Sequence, residues 1–213
     1  MTLPFTREQF FDAFTAYNEA VWPMQLALYA LALAALALAF SRGRHSGRVI
    51  SVVLALLWAW MGVVYHLGFF RPVNPAAVVF GALFLAGAAV FAWEGGVRGR
   101  LRFQARSSLG YLLLGYALVA YPFLAVLFGH VYPATPTFGL PCPTTIFTIG
   151  MLALLRAPYP RHVFVVPVLW ALIGLQAVFF LGVHEDLGLL AAAAAGAWLA
   201  LQGRRTYEQP LVS

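Results

Sequence analysis

Residues 49–70 read VISVVLALLWAWMGVVYHLGFF, 22 positions without an aspartate, glutamate or arginine, bracketed by Arg48 and Arg71. A bilayer's hydrocarbon core is about 30 Å thick and takes about 20 apolar helical residues to cross. This stretch has the right length and the right composition to do so. Six more apolar runs lie at roughly 21–40, 75–93, 108–130, 142–156, 163–183 and 187–203, the fifth being the shortest. Together the seven fill residues 1–213 as a single integral-membrane domain with no attached soluble unit. The expected fold class is all-α, a polytopic transmembrane bundle of about seven spans.

The composition excludes several classes. Hydrophobic residues make up 62% of the chain and charged residues 9%, and the mean hydropathy is +0.84. Soluble domains carry about 25% charged residues, so a soluble globule is ruled out. All 13 basic residues are arginine. Without a lysine amine, retinal cannot be held as a Schiff base. The single cysteine, Cys142, excludes an internal disulfide and any CxxC pair. No basic stripe interleaves with aromatics, so no nucleic-acid partner is expected.

The arginines sort by loop. Arg42, Arg44 and Arg48 lie between runs one and two, and Arg98, Arg100, Arg102 and Arg106 between three and four. Arg156 and Arg161 flank the loop after run five, and Arg204 and Arg205 follow run seven. Eleven of the 13 thus fall on one side, against Arg7 and Arg71 on the other, where Glu8, Asp12, Glu19, Glu185 and Asp186 gather. The positive-inside rule then puts the N-terminus outside and the C-terminus in the cytoplasm. Because the arginines come after the first run, no cleavable signal is expected.

Ahead of run one, residues 6–18 have the pattern of a short amphipathic helix. Thr6 and Gln9 form a capping box, and Phe10, Phe14 and Tyr17 share one face. Such a helix lies in the membrane interface or packs on the bundle. Pro23 after Trp22 suits a first helical turn, as does Pro75 after Asn74. Gly62, Gly68, Gly81, Gly87, Ala192 and Gly196 permit close helix approach.

Polar groups are costly in a membrane and mark function there. His66 lies near the outer end of run two, His130 closes run four, and His184, Glu185 and Asp186 turn between runs six and seven. Cys142 opens run five within HVYPATPTFGLPCPTTIFT, residues 130–148, whose four prolines disrupt a regular helix. Pro143 in a first turn would leave the amides of Thr144 and Thr145 free for an anion. The candidate binding cavity is therefore His66, His130, Cys142, Thr144, Thr145 and Glu185, with His66, His130 and Cys142 as candidate metal ligands. Each has a plainer reading. The histidines can bond neighbouring helices or face water, Cys142 can be a small buried apolar group, and Glu185 and Asp186 can cap run seven. Gln176, within run six, reads as an interhelical hydrogen bond, and Glu94 as an interfacial charge.

The segments Leu3–Thr6, Gln9-Phe10, Tyr17-Asn18, Trp22-Pro23, Tyr65-His66, Asn74–Ala76, Thr137–Thr145 and Glu185-Asp186 resemble an uncharacterised bacterial integral-membrane family, domain of unknown function family 6064. The resemblance spans essentially the whole chain and implies a bacterial inner-membrane protein. It implies no activity.

Three functions remain open from the sequence. The first is a small permease or ion- and metal-handling protein with an outward polar cavity, its partners the lipid bilayer and a small solute or ion. The second is a redox subunit in which His66 and His130 ligate heme. The third is a non-catalytic scaffold. No nucleophile elbow is present, so an enzyme is not expected. The cofactor, whether a divalent metal, heme or none, is left open.

Overall fold

Residues 4–41 and 43–205 are described by a computed structural model, with side chains through Gln202. Leu3, Arg42 and the side chains of Arg204 and Arg205 lie outside the described residues. Long apolar runs satisfy their backbone groups away from water by forming helices. About 75% of the protein is helical, and the described residues contain no β-sheet.

The elements are α1 (Arg7–Val21), α2 (Met24–Phe40), α3 (Ser46–Phe70), α4 (Ala77–Val97), α5 (Ser108–Leu127), α6 (Pro141–Leu152), α7 (Arg161–Leu181) and α8 (Gly188–Arg205). Each of the seven apolar runs becomes one helix, α2 to α8. Four of them, α3, α4, α5 and α7, are long and apolar enough to cross a membrane. The bent pair α1 and α2, at 87° to one another, meets the same test only when taken together. Leu112, Val119, Phe123 and Phe179 on the outside of α5 and α7 are each more than 60% exposed. That outer surface suits lipid rather than water.

The fifth run departs most from expectation. Its helix, α6, has 12 residues and is about 18 Å long at 1.5 Å per residue, short of the hydrocarbon thickness. Every residue of α6 except Cys142 is buried, as expected of a helix without a polar face in the middle of a bundle. Its start is also corrected. Pro141 and Pro143 both fall in the first turn, and the Thr144 amide donates to Leu140 O at 3.3 Å. The two prolines carry no N–H and Thr144 has spent its own, so the Thr144 amide expected to be free for an anion is already paired. Two further starts are shifted. Pro23 is the residue before α2, not within it, and α4 begins at Ala77, with Asn74 Oδ1 accepting from the Ala76 amide at 3.0 Å.

Glycines set the spacing in the bundle. A Cβ on Gly62 would stand 3.0 Å from Gly81 O, so α3 and α4 touch backbone to backbone. A Cβ on Gly87 would stand 2.5 Å from the Trp58 ring, which stacks on Phe84 and donates through Nε1 to Thr148 Oγ1 at 3.0 Å. Gly68 has only its own helix within reach and mediates no such contact.

Helix α1 lies against one end of the bundle. The capping box forms as the sequence predicts, Thr6 N donating to Gln9 Oε1 at 2.9 Å and Gln9 N to Thr6 Oγ1 at 3.2 Å. Phe14, Tyr17 and Asn18 are buried on its inner face. Asn18 ties this helix to the proline-rich loop. Its Nδ2 donates to Pro133 O (2.6 Å) and Thr135 O (2.8 Å), and its Oδ1 accepts from Thr137 Oγ1 (2.7 Å) and Gln25 Nε2 (2.9 Å). Trp60 Nε1 donates to Tyr17 OH at 2.8 Å.

Candidate functional site

Under α1 lies a cavity of about 280 Å³. Phe10 and Phe14 of α1 cover it, Tyr65, His66 and Phe70 come from the end of α3, Phe80 from α4, Cys142 from α6, and Trp170 and Gly174 from α7. The stretch Met61–Phe70 of α3 is wound as a π-helix, which places Tyr65 and His66 on its buried side. Such segments recur at functional sites.

His66 is 1% exposed, and neither of its ring nitrogens has a hydrogen-bond partner. Its neighbours are aromatic rings, with Phe84 at 4.8 Å and Trp170 at 5.1 Å between centroids. Trp170 Nε1 is buried and partnerless as well. Buried polar groups in native proteins nearly always have partners, because leaving one bare costs about 1–3 kcal/mol. Two unpaired groups at one cavity therefore form a polar spot in an aromatic chamber. Gly174 stands beside that spot: a Cβ there would meet Leu189 Cδ1 at 3.0 Å and reach contact distance, 3.6 Å, from both Cys142 Sγ and Trp170 Nε1.

Beside the cavity is a second, buried polar cluster, in which His130 Nε2 and Glu185 Oε2 lack partners. The turn residues Glu185 and Asp186 are 0% and 1% exposed, so the capping role expected of them is overturned. Partners from other elements engage one oxygen of each carboxylate. Glu185 Oε1 lies 2.8 Å from His130 Nδ1, close enough to share one proton, and Tyr116 OH donates to Glu185 O at 2.6 Å. Gly188 makes room for that tyrosine ring, which would overlap any Cβ at the position. Asp186 Oδ1 accepts from Tyr121 OH, and the Cys142 thiol lies beside the same carboxyl. Burial pushes the Asp186 carboxyl up to about 7, and its neighbour Glu185 adds to the rise while the Tyr121 hydroxyl and the Cys142 thiol oppose it.

The six candidate residues thus divide. His66 and Cys142 line the cavity, while His130 and Glu185 form the adjacent pair. Cys142 belongs to both regions, half-buried at the cavity and beside the Asp186 carboxyl. Thr144 and Thr145 line neither. Thr144 Oγ1 accepts from Gly139 N at 3.0 Å, and Thr145 is buried within the bundle. Among the described residues no three His, Cys, Asp or Glu side chains converge to hold a metal ion. The set His66, His130 and Cys142 is corrected accordingly. His130 is drawn away to Glu185 and stacks on Phe11 at 4.7 Å, outside the cavity that His66 lines. His184 is exposed against Phe128, Gln176 is exposed, and Glu94 is buried with Arg98 and Arg100. Trp170, Gly174, Tyr121 and Asn18 are site or supporting residues that sequence reasoning did not single out. Only Asn18 carries a local signal, a polar residue following the aromatic face of α1.

The sequence matches the family described as "Family of unknown function (DUF6064)" over residues 7–209. No curated protein matches it, and no solved structure does.

Proposed function

The chain belongs to DUF6064, a family of unknown function, and from that premise we propose a multi-pass protein that binds a small neutral solute under α1. The supporting observation is the pair of partnerless buried groups, His66 and Trp170 Nε1, at an aromatic-walled cavity. A neutral imidazole offers one donor and one acceptor, and the indole adds a second donor. A hydroxyl complements both, donating to the bare His66 nitrogen and accepting from Trp170. A carbonyl complements the two donors. The walls offer an ion no countercharge, and a bare charge there would be costly. The reading therefore moves from ion handling to an aromatic or apolar molecule with a hydroxyl or carbonyl head. The volume is near the lower end of the about 300–1,000 Å³ common for small-molecule sites.

The topology we propose is seven spans in a bacterial cytoplasmic membrane, the N-terminus outside and the C-terminus inside, forming one domain. The arginine distribution supports it. The cavity then opens toward the outer face. A permease role draws support from Cys142, through which the cavity adjoins the proton-holding Asp186, so that solute binding and protonation are coupled.

Equilibrium dialysis of 2-naphthol and of naphthalene against purified protein tests the solute reading. Wild type binds about one 2-naphthol and prefers it to naphthalene, and His66→Phe lowers that affinity at least tenfold, because a tenfold change needs only about 1.4 kcal/mol. Equal binding of both compounds, or an unchanged His66→Phe, refutes it.

A further inference from the structure

At the opposite end of the bundle from α1, the loops preceding α3 and α5 enclose a cavity of about 590 Å³ lined by Arg44, Arg48, Arg98 and Arg102, with His45 and Ser46. Among the described residues, no carboxylate pairs with Arg44, Arg48 or Arg102, and Glu94, in the last turn of α4, is engaged by Arg98 (3.2 Å) and Arg100 (3.3 Å). Arg102 also lines two adjoining cavities, one with Arg100 and Arg156 and the other with Arg106 and Arg156.

The backbone shapes this cluster. Gly99 adopts a φ of +65°, and a Cβ there would stand 3.2 Å from Arg48 Nε, so the guanidinium lies against the glycine. Arg102 O accepts from the Arg156 amide at 2.8 Å, and Gln104 N donates to Leu154 O at 2.7 Å, joining the two arginine-bearing loops. The cationic groups are therefore held together by backbone pairing, against their mutual repulsion.

We infer that these clefts bind the phosphodiester headgroup of an anionic phospholipid. Guanidinium presents a planar fork of donors that matches phosphate two bonds at a time, which an ammonium does not. Basic pockets between helices at a membrane surface are suited to such headgroups. A lipid rather than a soluble phosphate is favoured by what borders the clefts. Phe40, Val49 and Val97, each more than 40% exposed, stand next to Ser41, Arg48 and Arg98 on the helix ends, where acyl chains run if the helices span the membrane. The inference rests on the membrane-spanning reading above, and not on the solute cavity.

The test uses delipidated full-length protein and native mass spectrometry, with phosphatidylglycerol, phosphatidylcholine and inorganic phosphate as probes. Wild type retains phosphatidylglycerol with at least tenfold preference over phosphatidylcholine. The double variant Arg48→Gln/Arg102→Gln loses that preference, whereas Arg71→Gln, the same kind of charge loss at the other end, keeps it. Both altered arginines are exposed, so folding is checked by an unchanged melting temperature in phosphatidylcholine. Arg48→Lys/Arg102→Lys, which keeps the charge, is a second variant and recovers only part of the preference. Equal retention of the two lipids overturns the inference, as does a double variant that behaves as wild type. Inorganic phosphate that displaces phosphatidylglycerol at equal concentration overturns the lipid assignment in favour of a soluble anion. Carbonate extraction of the expressed protein separates the two premises: release from membranes refutes the spanning reading, whereas retention without lipid preference refutes the site alone.

Discussion

Replacing Asp186 by asparagine removes a buried group whose protonation links this bundle's stability to pH. In the folded protein its carboxyl sits at about 7, against 3.8 when unperturbed. Burial is the main cause. A carboxyl with a raised pKa holds its proton more tightly folded than unfolded. The stability this contributes is fully present below about pH 3.8 and is lost as pH rises to about 7. A difference of about 3 units at 1.36 kcal/mol each makes the loss roughly 4 kcal/mol. Much of that loss falls between pH 5 and 8. The six tryptophans provide the assay, thermal unfolding of detergent-solubilised protein followed by fluorescence. The wild-type midpoint falls by several degrees from pH 5 to pH 8. Asp186→Asn keeps an acceptor for Tyr121 and cannot ionise, so its midpoint changes much less over that range and exceeds wild type at pH 8. A wild-type midpoint independent of pH, or an equal slope in Asp186→Asn, refutes the reasoning.

Other substitutions probe separate parts of the account. Asn18→Leu strips side-chain partners from two carbonyls and the Thr137 hydroxyl, and leaves the Gln25 amide only the residue-18 carbonyl. At about 1–3 kcal/mol per buried group left bare, it lowers stability by at least roughly 3 kcal/mol, and limited proteolysis then cuts the loop at 131–140 faster. Gly188→Ala drives a methyl into the Tyr116 ring and destabilises by about 1–3 kcal/mol, and Tyr116→Ala in the same chain relieves most of that cost in thermal unfolding. Green fluorescent protein fused to the C-terminus fluoresces, whereas alkaline phosphatase fused there is inactive; the reverse pattern contradicts the topology.

The helical class and the number of apolar runs were legible because they rest on composition and length alone, whereas the helix ends, set by prolines and turns, shifted by a few residues. The α1 cap was legible because Thr6 and Gln9 are three residues apart, and a capping box is local. Pairing between elements was not legible in this way. Glu185 and Asp186 have the residue types of a cap, yet their side chains face His130, Tyr121 and Cys142, and that choice depends on the rotation of α5 and α6 about their axes. Helix α6 starts at Pro141, one residue before the expected run, and keeps Pro143 in its first turn, but it ends at Leu152, four residues short of the run's end at 156. The cavity was the least legible feature. It exists where α1 folds back over the helix ends, and neither Trp170 nor Gly174, which line it, differs locally from any apolar span residue. His66 and Cys142 were found by their chemistry, without any indication that they share a chamber.

Cys142 is the only thiol in the chain and lines that chamber, so its alkylation rate reports on occupancy. The most direct measurement is the rate at which N-ethylmaleimide modifies Cys142, with and without 2-naphthol, in wild type and His66→Phe. Wild type is protected at least tenfold by 2-naphthol and little by naphthalene, and His66→Phe loses the difference. Equal protection by the two compounds, or no protection by either while Cys142 reacts freely, would contradict it.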